Sequence, residues 1–198
     1  MISIGHVLRS STTDFVVGCK IMKEDTPQFG ALVKVKVTPH THIIGVIHDV
    51  TVRDDPSVRQ LILSGTLARE AVLDQRENRL VPIEIGVLIL GFQRKMNFVQ
   101  ALPPQPPISL EELALCSIDE IVAFTEQLDF LRFIINAQHA PADDLAVACL
   151  TRAAELRAPE IRRDYLLAAG RYIGRLLFDD MRRFDTILQQ LKTVVPSA

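Results

Sequence analysis

The sequence predicts an α+β protein of two modules, a small β-barrel in its N-terminal part and an α-helical bundle in its C-terminal part. Two patterns support this prediction. Up to residue 101, apolar residues come in short, β-branched runs separated by glycines, which is typical of strands. Beyond residue 108 they recur every three or four positions, as on the buried face of a helix, and glycine occurs only at Gly170 and Gly174.

A proline-rich segment separates the two patterns. Residues 102–108 contain two pairs of prolines, which lack backbone donors and favour an extended chain, so the segment is predicted to be a stiff spacer. We therefore assign residues 1–102 to the barrel, 103–108 to a linker and 109–198 to an α-helical domain.

The barrel strands are predicted from alternation and from β-branched runs. Residues 33–37 alternate valine with lysine, which indicates a half-buried strand. Residues 83–92 form the strongest strand pattern, and their glycines favour bulges or sharp bends in a barrel wall. Shorter strands are predicted at residues 15–17, 43–47, 50–52 and 97–101. Residues 54–78 mix apolar and charged positions and predict a loop with one or two short helices over a barrel end.

The helices are predicted from caps and from apolar spacing. Residues 109–112 and 117–120 fit the capping-box pattern that begins a helix, and apolar residues from Ile118 to Ile135 follow one face. A further helix is predicted to begin within residues 140–144, with a proline tolerated and acidic residues favoured in its first turn, and to run to about Leu156. The last predicted helix, residues 159–193, would be roughly 50 Å long, so we expect it to break near Gly170 or to extend beyond the bundle.

Gly170 and Gly174 lie four residues apart on the last predicted helix. In a membrane this spacing would indicate dimerisation, but Arg171 and Arg175 exclude a membrane span. Close packing against a neighbouring helix is the preferred interpretation. Because the same helix carries two adjacent apolar rows, self-association through it is a second expectation, beside a monomeric core that uses all of these residues.

Composition excludes several classes of protein. Hydrophobic residues make up 48% of the 198 residues, no run of about 18 apolar residues occurs, and the first residues lack a secretory signal pattern. The three cysteines are too few for a disulfide framework. We therefore expect a cytoplasmic protein with reduced cysteines and no membrane partner.

The charge distribution argues against tight binding of nucleic acid. The net charge is −2; residues 1–107 carry 12 basic and 10 acidic side chains, and residues 108–198 carry 10 basic and 14 acidic ones. An autonomous nucleic-acid binder needs a strong basic excess, and tryptophans for base stacking are absent. Nucleic-acid binding is expected to be weak or indirect.

A metal centre is one alternative that the residues suggest. His40 and His42 lie two residues apart, and the only plausible additional ligands in the barrel are His48, Asp49 and Cys19. A polar hairpin loop explains the histidine pair better, because structural zinc usually requires four ligands. No metal ligand is assigned.

Catalytic alternatives are also weak. Cys116 and His139 could act as nucleophile and base, but no third group or oxyanion hole accompanies them in the sequence. The adjacent carboxylates at 54–55, 143–144 and 179–180 would point apart on a helix, and capping explains Asp143 and Asp144 better. No residue is assigned to catalysis or to a cofactor.

A series of arginines follows the last predicted helix. It consists of Arg162, Arg163, Arg171, Arg175, Arg182 and Arg183. Arg175 and Asp179 form an i, i+4 pair, so a salt-bridged, solvated face is preferred over a phosphate-binding stripe.

Several short motifs, in their order along the chain, carry a resemblance. Residues 4–15 resemble the opening strand and turn of a HAS-barrel, residues 30–35 its next strand, and residues 44–47 the strand after that. Residues 89–92 and 102–104 extend the resemblance. In the helical part, residues 117–121 and 128–132 are similar to a group of stand-alone bacterial HAS-barrel proteins of about this length.

The resemblance implies a small Greek-key barrel like those of HerA-type DNA-translocating ATPases and ATP synthase subunits. Those relatives continue into an ATPase domain, whereas this sequence contains no Gly-x-x-x-x-Gly-Lys-Ser/Thr motif, so motor activity is not carried over. What the resemblance does imply is ring assembly or partner docking. The expected function is a non-catalytic assembly or docking module with a protein partner or as a homo-oligomer. The alternatives are an accessory factor in DNA processing and an enzyme of unknown class.

Overall fold

The computed structural model describes residues 3–19, 28–52 and 83–194. The strands in these ranges are β1 (Ser3–Ser10), β2 (Asp14–Cys19), β3 (Leu32–Thr38), β4 (Thr41–Val52), β5 (Ile83–Arg94), β6 (Asn97–Val99) and β7 (Glu112–Leu115). The helices are α1 (Ile118–Phe124), α2 (Leu131–Ile135), α3 (Ala142–Glu155), α4 (Pro159–Leu176) and α5 (Met181–Val194). The loop predicted at residues 54–78 lies outside the described residues.

The strands form a closed antiparallel barrel, as the sequence predicts. Around the ring the order is β2, β1, β7, β3, β4 and β5, and β5 pairs with β2 to close it. β6 pairs with β5 as a hairpin outside the ring. β1 therefore lies across the barrel from β4. The interior is filled by alternating apolar side chains, among them Val7, Phe15, Val35, Ile47, Ile85 and Leu113.

The proline-rich segment packs against the barrel. Pro103 and Pro107 are buried, and the Ser10 hydroxyl donates a hydrogen bond of 2.6 Å to the carbonyl oxygen of Pro107. The backbone N–H of Leu110 donates to the carbonyl of Val7 at 2.9 Å. The segment thus runs alongside β1 instead of holding two modules apart.

The helix start predicted at residues 109–112 is wrong. Glu112–Leu115 forms β7, which pairs with β1 on one side and β3 on the other. As a strand, residues 112–115 supply hydrogen-bond partners to the backbone groups on the facing edges of β1 and β3. As a capping box, residues 109–112 would satisfy only the backbone groups at one helix end. The barrel therefore includes residues beyond 102, and the helices begin at Ile118.

The glycines of β5 lie beside irregularities in the sheet, as predicted. Ile44 pairs with Gly91 and Asp49 pairs with Gly86, and the register with β4 shifts next to each of these pairs. A Cβ atom at Gly91 would lie 2.4 Å from the carbonyl oxygen of Val99, so only glycine allows β6 to approach. The two runs predicted as separate strands, 43–47 and 50–52, form the single strand β4.

The first predicted helical region is divided into two short helices. Ser117 begins α1 with a complete capping box, as predicted: its backbone N–H donates to Glu120 Oε2 at 2.7 Å, and its hydroxyl accepts from Glu120 N at 3.3 Å. The apolar face expected to run on to Ile135 is interrupted after Phe124, and α2 begins at Leu131. α3 ends at Glu155, close to the predicted Leu156, but Pro141 is its N-cap residue and does not lie in its first turn.

The last predicted helix is two helices, and the break does not lie at Gly170. α4 continues through both glycines and ends at Leu176, and Asp180 accepts a hydrogen bond of 3.1 Å from the backbone N–H of Arg183 at the start of α5. A Cβ at Gly174 would lie 3.2 Å from the Phe184 ring, and one at Gly170 would lie 3.4 Å from Leu188. Close packing of the glycines against a neighbouring helix is therefore confirmed, and that helix is α5.

The helices and the barrel share one apolar core. Leu32, Ile44, Val46 and Leu90 project from the outer wall of β3, β4 and β5 into a cluster with α1 to α5. Burial of this wall leaves β1, on the opposite side, to face away from the helices. Among the described residues, no helix combines the length and apolar character that crossing a bilayer requires.

Candidate functional site

A cleft of about 950 Å³ lies where the outer wall of β2, β4 and β5 meets the segment that follows α2. We call it the interface cleft. The barrel contributes polar side chains that include Asp14, His48, Asp49 and Glu84, and the helical side contributes Phe133 and His139 among others. It is a concave site with several convergent polar groups, which is the feature that an enzyme or a small-ligand binder requires.

His48 contributes an imidazole to the interface cleft. It occupies the bulge of β4, and its ring lies over Gly86, where a Cβ would be 3.0 Å from Nε2. Burial lowers the pKa of His48, and the nearby carboxylates of Asp49 and Asp14 oppose this effect only in part. The imidazole is therefore neutral at pH 7 and can accept or relay a proton.

The carboxylates around His48 already have hydroxyl or guanidinium partners. Asp14 accepts from the Thr13 hydroxyl at 2.7 Å, and Asp49 accepts from the Thr51 hydroxyl at 2.7 Å. Glu84 accepts from Arg9 at 3.3 Å. Both threonine hydroxyls thus donate to carboxylates and not to His48, so neither of these two described hydroxyls is activated as a nucleophile by the imidazole.

The histidines of the predicted metal alternative are dispersed. His40 lies in the exposed turn between β3 and β4. Burial and the charge of Lys34 lower the pKa of His42, which faces Lys34 and Glu120. His48 lies in the interface cleft instead. Among residues 3–19, 28–52 and 83–194, no group of three or more His, Cys, Asp or Glu side chains is placed to hold a metal ion.

Cys116 and His139 are also separated. Cys116 is buried at the interface between the barrel and the helices, where burial raises the pKa of its thiol to about 12. His139 lines the interface cleft, whose lining does not include Cys116. A thiol with such a pKa is protonated at neutral pH and is a poor nucleophile.

Asp143 and Asp144 lie in the first turn of α3, as expected, but the capping role expected for them is wrong. The N-cap position of α3 is Pro141, and no side chain caps it. Asp143 instead accepts from Arg183 Nε at 2.6 Å, and Asp144 accepts from Gln190 Nε2 at 2.9 Å. These carboxylates join α3 to α5. The 54–55 pair lies outside the described residues.

Several arginines of the predicted basic series serve the fold. Arg162 donates to the carbonyls of Arg157 and Glu155, at 2.9 and 3.0 Å. Arg183 donates to Asp143, as described above. Asp179 is not an i, i+4 helical partner of Arg175, because α4 ends at Leu176. The series does not form one continuous stripe for phosphate groups.

Exposed apolar side chains lie on the outer side of β1. Leu8 is 48% exposed, Ile108 is 63% exposed and Leu110 is 76% exposed. Residues 109 and 110 hydrogen-bond to β1, through a 3.4 Å bond from the Ser109 hydroxyl to the Leu8 carbonyl and a 2.9 Å bond from the Leu110 N–H to the Val7 carbonyl. We call Leu8, Ile108 and Leu110 the β1 patch. The patch could not be predicted from the sequence, because β1 and residues 108–110 are far apart in the chain. They come together only because β7 pairs with β1.

Leu110 has an unusual backbone conformation. Its φ angle is 73°, in the left-handed region that L-residues other than Asn and Asp rarely occupy. Such a conformation costs about 1–2 kcal/mol relative to glycine and tends to occur at functional positions. A large apolar side chain is thus held in a strained conformation and exposed to solvent.

Comparison with known proteins adds no relative. A scan against protein-family models finds no match, and a search of curated proteins finds none.

Proposed function

We propose that this chain is a non-catalytic assembly or docking module, built on a Greek-key barrel of the HAS type, that binds a protein partner through the β1 patch. The observation that carries the proposal is Leu110, which is 76% exposed and has a φ of 73°. Neither the exposure nor the conformation contributes to the stability of the isolated fold. Burial against a partner would remove the leucine side chain from water, and this gain would offset the cost of the backbone conformation.

The position of the β1 patch supports this proposal. Among the described residues, the helices bury the β3–β5 wall and leave Leu8, Ile108 and Leu110 exposed at β1. His6 and Glu112 lie beside the patch with 3.9 Å between Nε2 and Oε1, both well exposed. An apolar centre with a polar rim is the usual arrangement of a protein interface.

The docking function can be tested by comparing two variants in affinity purification from the organism that makes the protein. The patch variant carries Ile108→Asp and Leu110→Asp. The matched control carries Phe178→Asp and Met181→Asp, two exposed apolar residues at the turn between α4 and α5. We expect one or more proteins to co-purify with the wild type and the control, and to fall at least tenfold with the patch variant.

Light scattering of the pure protein separates a heterologous partner from a second copy. A mass above 22.1 kDa that the patch variant abolishes would make the partner another copy of the chain. Equal recovery of every co-purifying protein by all three forms, together with a monomeric mass, would contradict the proposal.

Catalysis is the alternative with structural support, because the interface cleft brings neutral His48 beside Asp49 and Asp14. The threonine hydroxyls in the cleft donate to Asp14 and Asp49 and not to His48, so we rank catalysis below docking. A role in DNA processing rests on the HerA resemblance alone and stays a prediction. Tight duplex binding at physiological salt that survives the patch variant would favour it over docking.

A further inference from the structure

Two carboxylates of the interface cleft keep oxygen atoms that can accept further hydrogen bonds. Asp14 and Asp49 are both exposed and both line the cleft. The hydroxyls of Ser11 and Thr13 donate to Asp14 Oδ2, at 3.0 and 2.7 Å. The Thr51 hydroxyl donates to Asp49 Oδ2, also at 2.7 Å. These donors are uncharged and leave the two Oδ1 atoms free of a donor within the described part of the chain, so two negative charges remain open to a ligand.

The arginines of the cleft are engaged with other groups. Arg9 donates to Glu84 at 3.3 Å. Arg132 donates to the carbonyl of Gln100 at 3.0 Å, and its guanidinium lies 4.5 Å from the centroid of the Phe133 ring. Neither guanidinium forms an ion pair with the two aspartates. The barrel side of the cleft is therefore the acidic side.

His48 adds a hydrogen-bond acceptor to the cleft without adding a charge. Burial lowers the pKa of His48, so its imidazole is neutral at pH 7 and one ring nitrogen accepts a hydrogen bond. The charges of Asp49 and Asp14 act in the opposite direction on the pKa of His48, which places both carboxylates within electrostatic reach of the ring. A neutral acceptor near two anionic ones favours a hydrogen-bond donor that carries a positive charge.

Half-buried apolar side chains supply the rest of the wall. They are Val16 and Leu88 on the barrel side and Phe133, Ala137 and Ala140 on the helical side. The volume of about 950 Å³ lies within the range of small-molecule sites in proteins. The cleft therefore has room for an apolar group beside its polar one.

We propose that the interface cleft binds an organic ammonium ion that carries an apolar body at least as large as a phenyl ring. The ammonium group would lie beside the carboxylates of Asp14 and Asp49 and donate to the imidazole of His48. The apolar body would contact the half-buried apolar wall. An anion is disfavoured because the two carboxylates would repel it, and a neutral head group would gain only ordinary hydrogen bonds. This site is separate from the β1 patch and does not depend on docking there.

The ligand class can be tested by NMR titration of the whole protein with phenethylamine, 2-phenylethanol, 3-phenylpropionate and methylamine. We expect phenethylamine to shift the backbone amides of residues 48–49 and 133–140 and to bind about tenfold more tightly than 2-phenylethanol. The anion should bind more weakly than the alcohol, and methylamine, which lacks the apolar body, at least about tenfold more weakly than phenethylamine. Equal or tighter binding of any of the other three compounds, or shifts confined to residues outside the cleft, would overturn the proposal.

Two aspartate variants test the position of the ammonium group. Asp49→Asn keeps the shape of the side chain and removes its charge, and we expect it to weaken phenethylamine binding about fivefold. Asp185→Asn is the control, since Asp185 is exposed on α5 and does not line the cleft. It should leave binding within about twofold, because exposed charges at a distance are screened. Equal losses in the two variants would mean a general effect of surface charge and would contradict the site.

The β1 patch variant, Ile108→Asp with Leu110→Asp, should bind phenethylamine as the wild type does. Loss of phenethylamine binding in this variant would contradict a separate site in the cleft. Failure of the docking proposal alone would leave phenethylamine binding unchanged.

The pH dependence of phenethylamine binding tests the role of His48. A protonated imidazole accepts no hydrogen bond and repels an ammonium group, so binding should be constant from pH 7 to pH 8 and weaken as the pH falls below 6.5, the ordinary pKa of histidine. The other charged groups that line the cleft keep their charges above pH 6; they are Asp14, Asp49, Glu84, Arg9 and Arg132.

His48→Gln keeps an acceptor that cannot become charged, so it should remove the pH dependence. His139→Gln is the control, because His139 is the other histidine in the cleft lining and is exposed. It should keep the dependence. A dependence that disappears in His139→Gln and persists in His48→Gln would overturn the assignment of His48 as the acceptor.

Discussion

Lys34 on β3 and Glu120 on α1 form an ion pair that joins the barrel to the first helix. Lys34 is only 9% exposed, so its ammonium group depends on this partner. Glu120 also closes the capping box of α1 by accepting from the backbone N–H of Ser117. Burial acts to raise the pKa of Glu120, but the hydrogen bonds from Lys34 and Ser117 outweigh it and hold the pKa below its usual value.

Glu120→Gln is expected to destabilise the protein by about 2 kcal/mol at pH 7, because it leaves the Lys34 ammonium without a counter-charge. Equilibrium urea unfolding measures the loss. Glu112→Gln is the control, since Glu112 is exposed and lies 3.9 Å from His6. It should change the free energy of unfolding by less than about 0.5 kcal/mol.

The stabilisation from Glu120 should also depend on pH. Because its pKa is lower in the folded state than the ordinary value of 4.5, its contribution is fully present above that value. The contribution is lost as the pH falls through the folded-state pKa, where the carboxylate becomes protonated. The difference between wild type and Glu120→Gln should therefore be constant from pH 6 to pH 8 and shrink below pH 4.5. A difference that grows on acidification would contradict this assignment.

Arg157 is a buried cation held by carbonyls and a ring. It is 8% exposed, donates to the carbonyls of Ala153 and Val122 and to the Thr125 hydroxyl, and stacks 3.8 Å from the centroid of Tyr165. Lysine cannot reproduce this planar set of donors. We expect Arg157→Lys to lower the free energy of unfolding by about 3 kcal/mol.

Arg163→Lys is the matched control for Arg157→Lys, because Arg163 lies exposed on α4. In thermal and urea unfolding, the free energy of unfolding of Arg163→Lys should lie within about 0.5 kcal/mol of the wild-type value. Similar losses in both variants would mean that the geometry of the buried guanidinium is not what stabilises this region.

The two glycines of α4 should respond differently to substitution. Gly170→Ala meets only the Leu188 methyl at 3.4 Å, so the gain in helix propensity should stabilise the protein by up to about 1 kcal/mol. Gly174→Leu would collide with the Phe184 ring and should destabilise it by about 1–3 kcal/mol. If Gly174→Leu instead lowered the mass of an oligomer with no loss of stability, the glycines would contact a second chain, as in the self-association expected from the sequence.

Leu110→Gly should separate stability from docking. Glycine adopts a φ of 73° without strain, so the variant should be more stable by about 1 kcal/mol and should lose partner binding. Lys95→Gly is the control, since Lys95 also has a positive φ, of 57°, but lies in the turn between β5 and β6. It should gain similar stability and keep partner binding. Retention of binding by Leu110→Gly would remove Leu110 from the interface.

Local patterns in the sequence predicted most of the elements but not their tertiary partners. Strands β2 to β5 follow from β-branched runs, and the Ser117 cap follows from its spacing to Glu120, because these signals act within a few residues. The same local reasoning failed for residues 109–112, where pairing with β1 and β3 prevailed. It also failed for Asp143 and Asp144, whose partners lie on α5 and are more than 35 residues away in sequence.

The candidate sites were less accessible to sequence reasoning than the fold. His48 was named only as an additional metal ligand, and nothing local indicated that Gly86 would leave room for its ring. Each site is formed by side chains from segments that are distant in the chain.

The sequence by itself determined that a β module precedes a helical one and that the glycines of α4 pack closely against another helix. Short-range periodicity and backbone preference are sufficient for these conclusions, since they act between residues a turn or a pleat apart. Only the tertiary structure decided that β7 completes the barrel after the prolines, that Leu110 is exposed in a left-handed conformation, and that α5 is the partner of α4. These features depend on which backbone groups, distant in sequence, hydrogen-bond to one another and on which apolar side chains pack together. Both depend on the whole chain and not on a local pattern.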